Sequence, residues 1–268
     1  DINFSGAALY SPVSYSIFIP FFWLGSIMSL PYFWIILLCR LIGILITGLA
    51  FYYAIKIIPI GKWAILAAGL IPTVIVQAST VGADSLQLSA IVLFIAYVTR
   101  RAFVYRKLSI TDYSIFVLLG MSLVLIKLAY VPLLLLLLVL PIMHKKYQDR
   151  KTVILLLATV IISFIPAIVW AKLVSYIDIN SNPQADFAAQ RGFIINQPVT
   201  YIQTLYYTYL TNSQSALSNI FGSFIWDSVP LPSIYSYCAM AAVTTSVFVG
   251  NRREVKLSRL SKRKIILW

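Results

Sequence analysis

Acidic and histidine side chains are scarce in this chain. It has 8 Asp and Glu residues against 21 Lys and Arg, a net charge of +13, and one histidine, His144, beside a basic cluster. With one histidine, a histidine-based metal centre or triad is excluded. Cys39 and Cys238 both lie in apolar runs, which predicts neither a disulfide framework nor a metal site. A Walker loop, a dinucleotide fingerprint and a GxSxG elbow are absent, so no cofactor is indicated, while the need for a divalent metal stays open.

Charge of either sign is also rare, since charged residues make up 11% and apolar residues 60% of the chain. A soluble domain carries roughly 25% charged residues, whereas a helix needs a run of about 20 apolar residues to cross a bilayer. The apolar runs do not alternate with polar residues, as those of an outer-membrane barrel would. The sequence therefore predicts an all-α integral membrane protein, a polytopic helical bundle forming one transmembrane domain over residues 1–268.

Seven apolar runs are predicted to be transmembrane helices. They cover residues 33–55, 63–80, 85–99, 113–126, 131–143, 153–174 and 233–249. Most of the cations fall in four clusters at the ends of these runs: Lys56 with Lys62, residues 100–107, residues 145–151 and the basic segment 251–264. Because cytoplasmic loops carry an excess of Lys and Arg, we expect these clusters on the cytoplasmic side of a plasma-membrane protein. Nucleic acid is not an expected partner, because no basic patch is interleaved with exposed stacking aromatics.

The excess of Lys and Arg on the cytoplasmic side also predicts on which side of the membrane the remaining segments lie. With the clusters inside, Phe33 lies at the outer face, and the proline-containing stretch 15–30 is expected to be a tilted or re-entrant outer segment. The long segment Tyr176–Pro232 is then extracytoplasmic and is expected to form the roof of any active surface. Within it, Pro198–Leu210 has the spacing of an amphipathic helix that lies flat in the membrane interface. Residues Ala216–Ile225 are expected to form a second short helix.

The ends of the chain are interpreted as those of a fragment. Asp1 stands in mid-loop without an initiator Met or a signal peptide, and residues 265–268 look like the first turn of another span. We therefore expect an N-terminal helix with its first outer loop, and further C-terminal helices, to lie beyond this sequence.

Two cations near the predicted outer ends of the spans are candidates for a substrate site. Arg40 lies about 10 Å into its span at 1.5 Å per residue, a depth at which a charge is a functional hypothesis by default. It is interpreted as a contact to a lipid phosphate or anionic headgroup. The alternatives are an arginine that snorkels outward or one that pairs with a carboxylate. Lys127, at a tight outer turn, offers either a second phosphate contact or another snorkelling side chain.

Asp84 is the third candidate near this boundary. The run Asp84-Ser85-Leu86-Gln87 matches a capping box, which gives the carboxylate a structural interpretation. The functional interpretation is a carboxylate that binds a sugar hydroxyl, serves as a base, or pairs with Arg40 or Lys127.

The long outer segment carries weaker candidates. Arg191 and Asp227 are loop charges, which are usually just solvated, although Trp226 beside Asp227 resembles an aromatic face with a carboxylate that holds a sugar. Gly43 and Thr47, in the first span, are interpreted as helix-packing contacts and not as a site.

An ordered set of motifs runs through most of the chain. It comprises Tyr10–Tyr15, Arg40-Leu41, Ala54–Lys62, Ala78-Ser79 through Asp84, Lys127 with Tyr130–Pro132, Gln190, Asn196–Pro198 and Gly222–Pro230 around Trp226-Asp227. This order is similar to that of an uncharacterised bacterial family of predicted multi-spanning membrane proteins, a domain of unknown function. That family in turn resembles the GT-C glycosyltransferases, which use polyprenyl-phosphate-linked sugars at the outer face. The resemblance implies an enzyme of envelope polysaccharide or glycolipid assembly, whose catalytic carboxylate is expected upstream of Asp1.

We therefore expect a GT-C-type transferase in which Arg40 and Lys127 hold the donor phosphate and Asp84 positions them or the sugar. The segment with Arg191, Trp226 and Asp227 would cover the glycan acceptor. A transporter or flippase of lipid-linked saccharides is an alternative, and so is a non-catalytic subunit of an envelope-assembly complex. Transporters commonly show inverted repeats and interrupted helices, and the sequence shows no repeat, which favours the enzyme. Nothing in the sequence selects a particular sugar, acceptor or oligomeric state.

Overall fold

The computed structural model describes residues 10–175, 186–222 and 231–248. These residues form helices and turns with no strand among them, which confirms the predicted all-α class. Within this part of the chain, three helices are long and apolar enough to cross a membrane, Tyr32–Ile57, Asp84–Phe103 and Arg150–Leu173, and the apolar helices Ile110–Ile126 and Leu128–Met143 are shorter. The bundle is therefore that of a helical membrane protein, and the number of crossings stays a prediction.

The helices are numbered here in chain order. They are α1 (Ile19–Ile27), α2 (Tyr32–Ile57), α3 (Lys62–Gly69), α4 (Pro72–Ala78), α5 (Asp84–Phe103), α6 (Ile110–Ile126), α7 (Leu128–Met143), α8 (Arg150–Leu173), α9 (Phe187–Asn196), α10 (Pro198–Phe221) and α11 (233–248).

Helices α2 and α5 pack side by side in parallel. Thr47 Oγ1 donates to Ser85 O at 3.1 Å, and further along both helices Ala54 and Ala96 share one apolar cluster. The chain between them must therefore return along the bundle, and it does so as two pieces, α3 and α4. The run predicted over 63–80 is divided because Pro72 lacks an N–H and forces Ile71 out of the helical region, to ψ 130°.

Helices α6 and α8 form a second parallel pair. Tyr113 and Thr152 line one cleft near their first turns, Gly120 meets Ser163 halfway along, and Lys127 and Trp170 line a cavity at the far end. The return segment α7 is again broken, into α-helical and 3₁₀ turns at Val131–Leu134, Leu135–Leu138 and Val139–Met143. Pro141 explains the 3₁₀ stretch, because its ring crowds the preceding turn and it cannot donate a hydrogen bond.

The two units meet where α5 packs antiparallel to α6. The Tyr97 and Phe116 rings are 5.3 Å apart, and Arg101 forms an ion pair with Asp112. The main apolar core surrounds this contact and includes Phe94, Phe116 and Leu156. The antiparallel packing places Asp84 and Lys127 at one end of the bundle, called the site end. Arg101 and the segments 105–107 and 145–151 lie at the other, called the basic end.

A 3₁₀ turn, Pro12–Tyr15, leads into the stretch 15–30 predicted as a tilted or re-entrant segment, and that stretch forms α1. Pro20 lies in the first turn of α1, where a missing N–H costs little, so it begins the helix and does not interrupt it. With 9 residues, α1 is about 13 Å long, too short to cross a bilayer alone. It packs on α2 through an apolar cluster of Phe18, Ile35 and Cys39.

Helix α10 begins at Pro198 as predicted, but it continues to Phe221. The separate helix predicted at 216–225 is therefore wrong, because its first residues extend α10 without a break. The predicted apolar face, formed by Ile202, Leu205, Tyr206, Tyr209 and Leu210, is 50–70% exposed. The helix is fastened to the bundle where Thr73 Oγ1 donates to Asn219 O at 3.0 Å. Its flat placement in a membrane interface stays a prediction.

Candidate functional site

Arg40 is held in place by the end of α4. Its Nε donates to Ser79 O at 3.1 Å, and its remaining N–H groups have no hydrogen-bond partner among the described residues. The side chain is exposed on a surface of α2 that also exposes Leu37, Leu41 and Ile44. Within the described part of the chain no carboxylate pairs with it. Arg40 is thus a fixed cation on an apolar outer surface, with donors available to an anion.

Close helix packing creates this position. A Cβ on Gly43 would lie 2.5 Å from Ala78 O, so glycine is what lets α2 approach the end of α4. One turn further, the Thr47 hydroxyl donates to Ser85 O, which satisfies it inside the α2–α5 contact. The prediction that Gly43 and Thr47 are packing contacts is confirmed, and together they set where Arg40 meets Ser79.

Asp84 is half-buried at the first position of α5 and does not cap it. Ala83 precedes it with helical angles, φ −67° and ψ −21°, so the helix begins one residue earlier than a capping box requires. The predicted capping box is therefore wrong. Within the described residues Asp84 forms no ion pair with Arg40 or Lys127. As an acidic residue in the first turn of α5, Asp84 stabilises the helix dipole, and its role toward a ligand stays a prediction.

The Tyr10–Tyr15 segment lies near both Asp84 and Lys127 at the site end. Its 3₁₀ turn contacts both α5 and α6. Burial raises the pKa of the Tyr15 hydroxyl, and the nearby Tyr10 and Asp84 raise it further, so Tyr15 and Asp84 are within electrostatic reach of each other. Tyr10 and Lys127 line a cavity of about 330 Å³ together with Trp170.

Several buried polar atoms at the site end lack a partner. Ser11 Oγ, Ser14 Oγ, Ser85 Oγ and Gln87 Oε1 are buried without a hydrogen bond to any described residue. Buried polar groups in native proteins are almost always paired, with protein, water or ligand. Because these residues belong to the Tyr10–Tyr15 segment and the first turn of α5, this is where a polar ligand or water is expected. The sequence analysis singled out both stretches as motifs but did not predict that these polar atoms are buried together, since burial depends on packing between helices.

The remaining candidates are not brought into this group. Arg191 is exposed on α9, whose main contacts are with α10. Trp226 and Asp227 lie outside the described residues. Across residues 10–175, 186–222 and 231–248, no group of three or more His, Cys, Asp or Glu side chains could hold a metal ion.

A polar network at the basic end was also missed. Asp112 accepts from Arg101, from the Tyr97 hydroxyl at 2.6 Å and from Ser109 N at 2.7 Å. Ser109 and Asp112 form the capping box of α6. The sequence carried a signal for this helix start, because Ser-x-x-Asp before an apolar run is a known capping-box pattern.

Apolar helices of membrane-crossing length, with few and localised charges, define a helical membrane protein. The chain belongs to the DUF2142 family, described as predicted membrane proteins, whose model matches residues 1–267. No curated protein and no solved structure matches it. The family membership confirms the predicted membrane class.

Proposed function

We propose that the protein is a GT-C-like glycosyltransferase of the cell envelope that binds a polyprenyl-phosphate-linked sugar at the site end. The observation that carries the proposal is Arg40, an arginine fixed by one backbone contact on an apolar outer surface of α2. A donor with a long prenyl chain lies in the bilayer and presents its phosphate near the headgroups. A cation that receives it must be reachable sideways from the lipid, and Arg40 meets that requirement.

The chemistry follows from the charges at the site end. Glycosyl transfer from a phosphate-linked sugar leaves negative charge on the departing phosphate, and fixed cations that stabilise this charge lower the barrier. In the proposal Arg40 and Lys127 supply that stabilisation, and Asp84 orients the sugar or the cations. A general base must remove the proton from the acceptor hydroxyl, and the resemblance to GT-C enzymes implies a carboxylate of the first outer loop for that role. The site end then faces the outside and the basic end faces the cytoplasm, as the distribution of cations predicts.

One structural observation favours the transporter or flippase instead. The broken segments α3–α4 and α7 occupy corresponding places, each between two parallel helices. Interrupted helices in corresponding positions of two halves are typical of secondary transporters. This arrangement was not visible as a sequence repeat, so the functional test must separate transfer from transport.

The test uses the complete protein in proteoliposomes with a labelled polyprenyl-phosphate sugar and an envelope glycan fraction as acceptor. We expect new glycosidic product, and we expect Arg40→Ala and Lys127→Ala each to lower its rate by about 100-fold, as loss of one preorganised charge contact does. Lys172→Ala is the matched control, because Lys172 is an exposed cation in the last turn of α8. Unchanged turnover in both variants would show that the phosphate roles are wrong. Movement of labelled lipid without product would establish a flippase.

A further inference from the structure

A second cavity lies at the basic end, away from the site just described. It has a volume of about 1080 Å³ and opens between α6 and α8. Drug-sized ligands occupy pockets of roughly 300–1,000 Å³, so the cleft has room for a large ligand. It extends from the first turns of both helices to Met121 and Ile162, and its lining does not include Lys127 or Trp170, which mark their opposite ends.

The walls of this cleft are apolar and open to the side. They include Val117, Leu118, Leu155 and Ile162. Leu118 is 64% exposed and Ile162 41%, so the apolar lining continues onto the outer surface of the helices. In a membrane this surface faces acyl chains, and a lipid chain can enter the cleft without passing through water.

The mouth of the cleft is basic. Lys107, Lys146 and Lys151 line it, together with one carboxylate, Asp149. One oxygen of Asp149 already accepts from Thr152 N at 2.9 Å as the cap of α8. Three ammonium groups thus stand against one carboxylate, which already accepts a hydrogen bond. The rim of the cleft therefore carries a net positive charge.

The rim is built from packed side chains. Lys146 Nζ lies 4.8 Å from the centre of the Tyr105 ring, and the Tyr105 and Tyr147 rings are 5.1 Å apart. The Tyr147 hydroxyl donates to Arg106 O at 2.6 Å and accepts from Arg106 N at 3.3 Å. The two basic segments, 105–107 and 145–151, are thus fastened to each other at the mouth, and Lys146 is held over the Tyr105 ring.

The first turn of α8 gives an independent electrostatic argument. Arg150 and Lys151 occupy it, no acidic residue lies within it, and the Asp149 carboxylate caps it through one oxygen. The N-terminus of a helix is the positive end of its dipole, where cations are disfavoured and anions are stabilised. An anion bound beside Lys151 would add to the negative charge of Asp149 at this helix end and would offset the mutual repulsion of the lysines.

We propose that this cleft binds an anionic phospholipid. Its phosphate headgroup lies among Lys107, Lys146 and Lys151, and an acyl chain follows the apolar wall between α6 and α8. Basic pockets between membrane helices recognise acidic headgroups in this way. A soluble anion would leave the apolar wall of the cleft uncovered. An apolar helix docked in the cleft would cover that wall but would bring no negative charge to the three lysines. The inference does not depend on the transferase proposal, since the two sites share no residue.

The test is native mass spectrometry of the full chain in detergent, with phosphatidylglycerol or with phosphatidylcholine of the same acyl chains. We expect preferential retention of phosphatidylglycerol. The triple variant Lys107→Gln, Lys146→Gln, Lys151→Gln is expected to lower it at least tenfold. The triple variant Lys56→Gln, Lys62→Gln, Lys172→Gln removes the same charge elsewhere and is expected to change it less than twofold.

A second pair of variants changes the apolar wall of the cleft and leaves the lysines intact. It tests the lipid-binding proposal even if the lysine variant does not fold. Ala158→Trp fills the cleft and is expected to displace the lipid. Ile168→Trp, on an exposed part of α8 outside the cleft, is the control. Equal retention in Ala158→Trp and its control would overturn the proposal, and so would equal binding of the two lipids. A dimer that forms through the cleft in place of lipid binding would also overturn it.

Discussion

Arg101 on α5 donates to Asp112 on α6, and the two side chains are 7% and 2% exposed. The same carboxylate accepts from the Tyr97 hydroxyl and from Ser109 N, so its charge is surrounded by donors. A buried charge is tolerated when its hydrogen-bonding capacity is filled in this way. The pair therefore fixes the contact between the two halves of the bundle at the basic end.

Asp112→Ala should destabilise the protein by about 3–5 kcal/mol, because it leaves Arg101 buried without its counter-charge. The double variant Arg101→Met, Asp112→Leu should cost much less, since it removes both charges and keeps the apolar volume. Unfolding in detergent, followed by circular dichroism, measures both. If the double variant is as unstable as the single one, the loss does not come from an unpaired charge.

Two glycines on α2 give a matched pair. Gly43→Ala should cost roughly 1–3 kcal/mol, because the new Cβ would lie 2.5 Å from Ala78 O and α4 would have to move. At Gly48 a Cβ meets nothing within 4 Å, so Gly48→Ala should be neutral or stabilising by up to about 1 kcal/mol. Thermal unfolding compares them. Equal effects would show that the close approach of α2 to α4 is not what requires glycine.

Replacing Tyr147 and Tyr105 by Phe allows a second comparison of stability between matched variants. Tyr147→Phe removes the hydroxyl that serves both backbone groups of Arg106, and a loss of about 1–2 kcal/mol is expected. Tyr105→Phe keeps the ring that lies under Lys146 and should change stability by less than about 0.5 kcal/mol. Denaturant unfolding of the two variants measures the difference. A similar cost in both would contradict a role for the Tyr147–Arg106 bonds.

Asp149 gives the expected dependence on pH. Hydrogen bonds from the Thr152 side chain and backbone N–H lower the pKa of this carboxyl from its ordinary 3.8. Its contribution to stability is therefore complete above pH 3.8 and is lost as the pH falls through the lower folded-state pKa. The stability difference between the parent and Asp149→Asn should stay constant from about pH 6 to 4.5 and shrink below that. A difference already lost at pH 5 would show that the pKa is raised.

The sequence predicted the long helices well because their signal is their own apolar length. The breaks in α3–α4 and α7 were harder to place, since a proline in a membrane helix can kink it, divide it or begin it. Pro72 divides a predicted span and Pro20 begins a helix, although both stand within apolar runs. The neighbouring helices decide the outcome, and a single sequence does not display them.

The candidate site was partly visible in the sequence. A charge inside an apolar run is conspicuous, which is how Arg40 and Lys127 were found. The contact that holds Arg40 is a backbone carbonyl at Ser79, and any residue type carries one. The capping box was assigned to Asp84 and occurs at Ser109–Asp112, because both runs fit the pattern and the first helical residue decides between them.

The divided return segments have a consequence for how the chain enters a membrane. Helices α2, α5 and α8 are long and apolar enough to insert on their own. Helices α3 and α4, of 8 and 7 residues, reach only about 12 and 10 Å. Inserted alone, each would leave unpaired backbone groups in the hydrocarbon, which lipid cannot satisfy. If this segment forms the predicted second crossing, its insertion waits for the flanking long helices, and the order of synthesis, with α2 before and α5 after the break, becomes part of the assembly pathway.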